Sequence, residues 1–345
     1  MAHNDWLDFP DFDVATWASQ TASISTGSDA NWKKLIWAEG ANAIQLPARA
    51  IDSRESGNPW SITQTPARPS DVVPMLMGGV QGIRLNAAGA DVAWLSDVHL
   101  EMVDVYIDAD AVSLEGFDLQ AMAKAGWTGH CARRIHALDA EAFRSHVELT
   151  NGLNVRVWLV QTGIKTDYTN ALADGLLQLE RFRRLLKEQK GSGVKAWQSM
   201  VWKCHVGPHV LEGVACLRAL RLVWDKWLES HGFDKVAIWI DAVASNESAQ
   251  CEFATDRLIP MTASTYASVI GGADSIETVA HDAESEAATV DGQRWARNIQ
   301  HLMREESGLH RVFDPMGGSR VVEAWTGSLV EAAWAQYEHM KGNMP

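Results

Sequence analysis

The feature that most constrains this fold begins near residue 79. From there, short β-branched or aromatic runs alternate with longer stretches of helical periodicity. The pattern predicts strands at 82–87, 103–108, 127–132, 155–161, 196–205, 236–242, 276–281 and 311–313. Helices are expected between them. One, over 166–188, carries Leu172, Leu176, Leu179, Phe182 and Leu186 on a single stripe. Another, over 209–231, places Leu211, Val214, Leu217, Leu220 and Trp224 together. A shorter one over 138–149 turns Phe143 and Val147 inward. Eight strands each followed by a helix, in about 260 residues, have the size and rhythm of an α/β fold of the (β/α)8 TIM-barrel type. An open doubly wound sheet shares the same βα rhythm and is the alternative.

Residues 1–70 read differently. They hold Pro10, Pro47, Pro59, Pro66 and Pro69, half of the chain's 10 prolines. A Ser/Thr-rich stretch lies over 21–28, with one helical segment near 31–40. This is the pattern of an extended N-terminal arm that contacts a partner subunit, with the barrel over 71–345. The 30 basic and 44 acidic residues give a net charge of −14, which argues against a nucleic-acid partner. Cys131, Cys204, Cys216 and Cys251 have no C-x-x-C spacing, so reduced thiols in a cytoplasmic protein are expected. No run approaches the roughly 18 apolar residues that span a membrane, and the N-terminus has no signal-peptide pattern.

Three local motifs stand out. Asp314-Pro315-Met316-Gly317-Gly318-Ser319 lies between the expected eighth strand and a helix that starts near Val321, with Ser319 as its N-cap. A glycine-rich turn there is where barrels bind phosphate; a plain left-handed turn with a cap accounts for it equally well. Gly271-Gly272-Ala273-Asp274-Ser275 is an αβ connection whose glycine ends a helix, and so is structural. Cys204-His205, His209, Cys216 and Asp241 could be read as a metal site, but a histidine at a strand end is far commoner, and no metal is expected. The fingerprints of common hydrolases, kinases and dehydrogenases are absent.

The last hundred residues carry a specific resemblance. Trp295-Ala296-Arg297-Asn298-Ile299-Gln300, Glu305-Glu306-Ser307-Gly308, Arg311-Val312-Phe313-Asp314-Pro315-Met316-Gly317-Gly318-Ser319 and Val322-Glu323-Ala324-Trp325-Thr326 follow one another in order. They resemble the methylmalonyl-CoA mutase family run A-R-N-T-Q, E-E-S-G, R-V-x-D-P-A-G-G-S-Y-Y-V-E-x-L-T. Ala171-Leu172-Ala173-Asp174-Gly175, Leu217-Arg218-Ala219-Leu220-Arg221 with Trp224, Gly271-Gly272-Ala273-Asp274 and, more weakly, Asn58-Pro59-Trp60-Ser61-Ile62-Thr63-Gln64 match other family segments. The resemblance implies a barrel that threads a CoA pantetheine chain along its axis. It also implies adenosylcobalamin, carried by a separate domain.

The departures from the family pattern are equally specific. Thr65 stands where the family has its catalytic tyrosine, and Thr63 replaces an arginine. The stretch 155–165 lacks the family's active-site histidine, and no segment matches its R-N-T-Y. No D-x-H-x-x-G segment of a cobalamin domain occurs up to Pro345. Trp158, Trp202 and Trp239 on the strands are bulky for a pantetheine channel. The resemblance therefore implies a non-catalytic chain like the family's small subunit, paired with a large or cobalamin-binding mutase subunit that supplies adenosylcobalamin. The alternative is an active acyl-CoA substrate subunit that uses adenosylcobalamin from a separate chain. Gln64, Arg68, His205, Asp241, His281 and Ser319 would then be the substrate contacts.

Overall fold

The computed structural model describes Leu46 and residues 57–343 except 87–88, 110–113, 115–116, 136–139, 151–152, 154, 164–166, 189–192, 246–252 and 284–287. The expected arm up to residue 56, its helical segment and Cys251 lie outside the described residues.

Eight parallel strands close into a barrel. They are β1 (Ser61–Gln64), β2 (Gly82–Asn86), β3 (Asp104–Ala109), β4 (Thr128–Arg134), β5 (Arg156–Thr162), β6 (Met200–Val206), β7 (Trp239–Ala244) and β8 (Ser275–Thr278). The seam closes where Ser61, Ile62 and Thr63 pair with Ser275, Ile276 and Glu277. Around the strands lie α1 (Val72–Met77), α2 (Leu119–Lys124), α3 (Ala140–Thr150), α4 (Tyr168–Glu188), α5 (Gly193–Gln198), α6 (Val210–Ser230), α7 (Leu258–Ile270) and α8 (Val290–His301). A further helix, α9 (Arg320–Gly342), packs outside this ring against α4 and α6. No described helix is long and apolar enough to cross a membrane.

The strand count matches the expectation, but its numbering shifts by one. β1 lies within the stretch read as arm; four residues between Pro59 and Pro66 gave too short a run to register. The expected strand at 311–313 is instead a 3-10 turn, Leu309–Arg311, followed by bends. The first residues of the expected strand 196–205 form the end of α5. On α3 the inward residues are Phe143 and His146, whereas Val147 is exposed.

Each strand has two unlike faces. Outward side chains such as Ile62, Trp158, Val160, Trp202, Cys204, Ile240 and Ile276 are buried in the helix layer. Phe143, Trp158, Phe182 and Trp197 form a chain of ring contacts there, and Trp197 continues it to Trp227. Much of the unusual tryptophan content is spent on this wall, where large rings bury the most apolar surface.

Trp202 also explains the Gly175 of the motif on α4. A Cβ at Gly175 would come 2.0 Å from Trp202 Cζ2. Alanine in an open helix position gains up to about 1 kcal/mol over glycine. Here Gly175→Ala is expected to lose about 1–3 kcal/mol, because the fully buried indole has no space to move into. A lower midpoint in urea denaturation is the result to look for; a higher one would show that the wall is looser than the geometry indicates.

Candidate functional site

Strands covered by helices on one face and closed around an axis on the other need not be apolar throughout. In this barrel many of the inward positions are polar. β2 contributes Arg84, β3 Tyr106 and Asp108, β4 His130, β6 Lys203 and His205, β7 Asp241, and β8 Ser275 and Glu277, while Thr63 comes from β1. Gly82 leaves room for Tyr106, whose ring lies 2.3 Å from where a Cβ would stand.

These groups are tied to one another. Arg84 Nη1 donates to Asp241 Oδ2 at 2.6 Å, and its Nη2 donates to Asp241 Oδ1, which makes a two-pronged pair. Arg84 Nε donates to Thr63 Oγ1 at 2.9 Å and lies 3.4 Å from Glu277 Oε2. Ser275 Oγ donates to Asp241 Oδ1 at 2.6 Å. Thr65 Oγ1 donates to Glu277 Oε1 at 2.5 Å. Lys203 Nζ donates to Asp108 Oδ2 at 2.5 Å, and His130 Nε2 lies 3.2 Å from Asp108 Oδ1. The His130 ring also meets Tyr106 edge-on, with centroids 4.6 Å apart.

Burial alone would push the Asp241 carboxyl up, but the Arg84 charge and its hydrogen bonds outweigh this and hold it below the usual range. Burial likewise opposes the Arg84 charge, yet Asp241 and Glu277 overcome it and hold the guanidinium above its ordinary value. Asp108 is buried too, and Lys203 and His130 keep it ionised well below the carboxylate norm. Burial lowers His130 against the pull of Asp108, so its ring is neutral near pH 7 and donates from Nε2. Burial, helped by Lys203, lowers His205 to about 4. Its Nδ1 is buried without a hydrogen-bond partner.

The middle of the axis is therefore filled. Arg84 is 3% exposed and Asp241 0%, and Thr63, Tyr106, His130 and Ser275 are buried with them. An apolar layer of Ala132, Leu159 and Val201, with the half-buried Trp239, packs inside the barrel as well. The Arg156 guanidinium lies over the Trp239 ring at 4.3 Å, and Trp239 Nε1 donates to Ser275 Oγ at 3.0 Å. Of the three tryptophans expected to obstruct a channel, Trp239 faces inward. Trp158 and Trp202 belong to the helix layer.

The six expected contacts do not form one site. Asp241 and His205 face the axis, and Asp241 is fully engaged. Gln64 points the other way, its Nε2 donating to the Gln293 carbonyl on α8 at 2.8 Å. Arg68 is solvent-exposed and pairs with Asp71 at 3.2 Å. His281 lies past the end of β8, stacked on Trp295 with centroids 5.0 Å apart. Ser319 sits at the start of α9, away from the strand ends. Cys204 and Cys216 are buried in the helix layer while His205 faces the axis, so these residues cannot share one metal ion. Burial pushes the Cys216 thiol up to about 12 and Cys204 well above its ordinary value. Arg84, Tyr106, Asp108, His130, Lys203 and Glu277 escaped the sequence reading, and Thr63 entered it only as a departure from the family pattern.

The glycine-rich turn is also relocated. The Asn58 amide, three residues before β1, donates to the His310 carbonyl at 2.6 Å, so this segment passes the N-terminal ends of the strands. That is the face opposite to the one where barrels hold phosphate. Asp314 adopts the left-handed region with φ 46°. The buried Arg218 of α6 donates to Asp314 Oδ1 and, at 2.7 Å, to Glu323 Oε1. The same Glu323 oxygen accepts the Gly318 amide at 2.8 Å. Ser319 occupies the N-cap position with no side-chain cap bond, so the Glu323 carboxylate does the capping. The turn is an ionic clasp between α6 and α9. The second glycine motif is structural as expected: Gly272, with φ 81°, ends α7, and Arg221 holds its carbonyl and Asp274.

Residues 192–343 match the sequence profile of methylmalonyl-CoA mutase. The chain is 31% identical to a methylmalonyl-CoA mutase of Cereibacter sphaeroides over 139 residues, which is 39% of this chain and 20% of that protein. It is 30% identical to the methylmalonyl-CoA mutase small subunit of Propionibacterium freudenreichii subsp. shermanii over 174 residues, 50% of this chain and 27% of the relative. It is also 30% identical to the methylmalonyl-CoA mutase large subunit of Streptomyces virginiae over 178 residues, 49% and 23% of the two chains. The matched segments thus span only a fifth to about a quarter of these relatives. The match covers β6 to β8 and the helices that follow them, including the clasped turn. Closed into eight strands and matched over residues 192–343, this chain is similar through its second half to the methylmalonyl-CoA mutase family.

Proposed function

We propose that this chain is a non-catalytic barrel subunit of a cytoplasmic adenosylcobalamin-dependent acyl-CoA mutase, supporting a partner that holds the active site. The observation that carries this reading is the filled axis. A pantetheine chain would have to pass where Arg84 and Asp241 grip each other across the interior. Moving it in would strip both charges of their partners, and each would then bear the cost of an unpaired buried ion. The absence of the family's tyrosine at Thr65 and of its histidine within 155–165 supports the same reading.

Adenosylcobalamin supplies the radical chemistry in such enzymes. The described residues do not fit an acyl chain facing a corrin, because Asp108, Lys203, Glu277 and Thr65 at the mouth are bonded to one another. The cofactor is therefore assigned to the partner. Barrel shape, and with it the surface offered to that partner, is what this chain's residues maintain.

The test is turnover in a complex reconstituted with a cobalamin-bearing large subunit. His205→Gln removes the axis-facing imidazole that is free of the charged pairs. Rates within about twofold of wild type are expected, since losing a positioned acid–base group costs on the order of 100-fold or more. A loss of that size, with the complex still assembled, would favour the active-subunit reading.

A further inference from the structure

α9 is joined to the rest of the molecule differently from the other long helices. Its main packing is against α4 and α6 and not against a strand. It buries Val322, Thr326, Ala333 and Tyr337 in that groove. The chain reaches it from the N-terminal ends of β1 and β2, where Arg304 donates to the Trp60 carbonyl and to Gln81 Oε1. Then comes the left-handed Asp314, which is the one non-glycine residue with positive φ among the described residues. Arg218, fully buried on α6, grips both ends of the turn through Asp314 and Glu323. A buried guanidinium between two carboxylates is an all-or-none contact. Losing Arg218 leaves two carboxylates without their shared counter-charge, and losing Glu323 removes the contact that ties the first turn of α9 to α6.

We propose that the Arg218–Asp314–Glu323 triad is a latch that holds α9 to the barrel as one separable unit. The unit opens from the α4–α6 groove as a whole while the eight strands stay closed. Local opening of this kind draws on elements that contribute few residues to the core. α9 buries five of its 23 residues, against ten of 21 in α4 and 13 of 21 in α6. The triad concentrates the charged part of the attachment at the helix start. Thr326 Oγ1 is buried in the groove without a hydrogen-bond partner, so packing there is not reinforced by that hydroxyl.

Amide hydrogen exchange on the full chain, resolved by mass spectrometry, tests this. In the wild type under mild denaturant, amides of 321–342 should exchange together and well before those of β2, β3, β6 and β7. In Arg218→Met they should exchange at least roughly tenfold faster than in wild type, with strand protection unchanged. Glu323→Gln keeps an acceptor for the Gly318 amide and removes only the charge, and should shift the same amides in the same direction. Unchanged α9 protection in both variants would overturn the latch. So would loss of strand and α9 protection together, or wild-type α9 amides that exchange only with the strands. The wild-type measurement stands if either variant fails to fold.

Discussion

Arg84→Met is expected to cost about 3–5 kcal/mol of folding stability, a large share of what holds a domain together. The substitution keeps much of the side-chain volume and removes the charge that faces Asp241. Asp241 is then left fully buried with Ser275 as its remaining interior donor. Thr63 loses its bond to Arg84, and Glu277 loses its nearby cation. The double variant Arg84→Met/Asp241→Leu removes both charges, and it should recover most of the loss because an apolar pair of similar volume needs no solvation. A denaturant series on the four proteins of this cycle gives the coupling directly. Equal, additive losses would show that the pair does not act as one unit.

The second large effect is a loss of stability in mild acid. His205 and His146 each stand at about 4 in the folded chain because burial disfavours the imidazolium. An unfolded histidine titrates near 6.5, so above that pH both states are neutral and nothing is lost. As pH falls below 6.5 the unfolded chain takes up protons that the folded chain refuses, and stability declines until about pH 4. Each ring accounts for up to about 3 kcal/mol over that window. His130, also held low by burial, adds in the same direction. Asp108 and Asp241 work in a lower window, since their depressed values stabilise the fold above the ordinary carboxylate range and lose effect below it. Denaturation at pH 7.5, 5.5 and 4.5 should show the decline, and His146→Gln should flatten it. A flat profile between pH 7 and 5 would contradict the burial of these rings.

How much of this was legible beforehand follows from what a local pattern can encode. The helices over α4 and α6 were readable because their apolar stripes repeat through several turns. Strands β2 to β8 were readable because β-branched and aromatic residues cluster in them. β1 was not, since four residues beside prolines carry too little pattern. The turn at 314–319 was recognisable as a family marker and as a left-handed turn before a helix, but not as an ionic clasp. The charge that gives it meaning, Arg218, lies 96 residues away from Asp314 in the sequence.

The axis itself left a signal that was not used. Parallel strands covered by helices usually read as continuous apolar runs. Here Gly82-Ile83-Arg84-Leu85-Asn86, Asp104-Val105-Tyr106-Ile107-Asp108 and Trp202-Lys203-Cys204-His205 alternate polar with apolar residues. That alternation marks an inward polar face. It does not tell which strand pairs with which across the interior, and so it could not show Arg84 meeting Asp241. Charged residues at alternate strand positions suit an open polar channel as well as a self-satisfied plug. Only the three-dimensional pairing favours the second.

In the proposed reading, the axis of this mutase-like barrel is closed to substrate. Calorimetric titration of an acyl-CoA into the isolated, folded chain tests it most directly. The filled interior predicts no saturable heat with any acyl-CoA at millimolar concentration. Stoichiometric binding in the micromolar range, lost in a variant of an axis-facing residue such as His205→Trp, would contradict it.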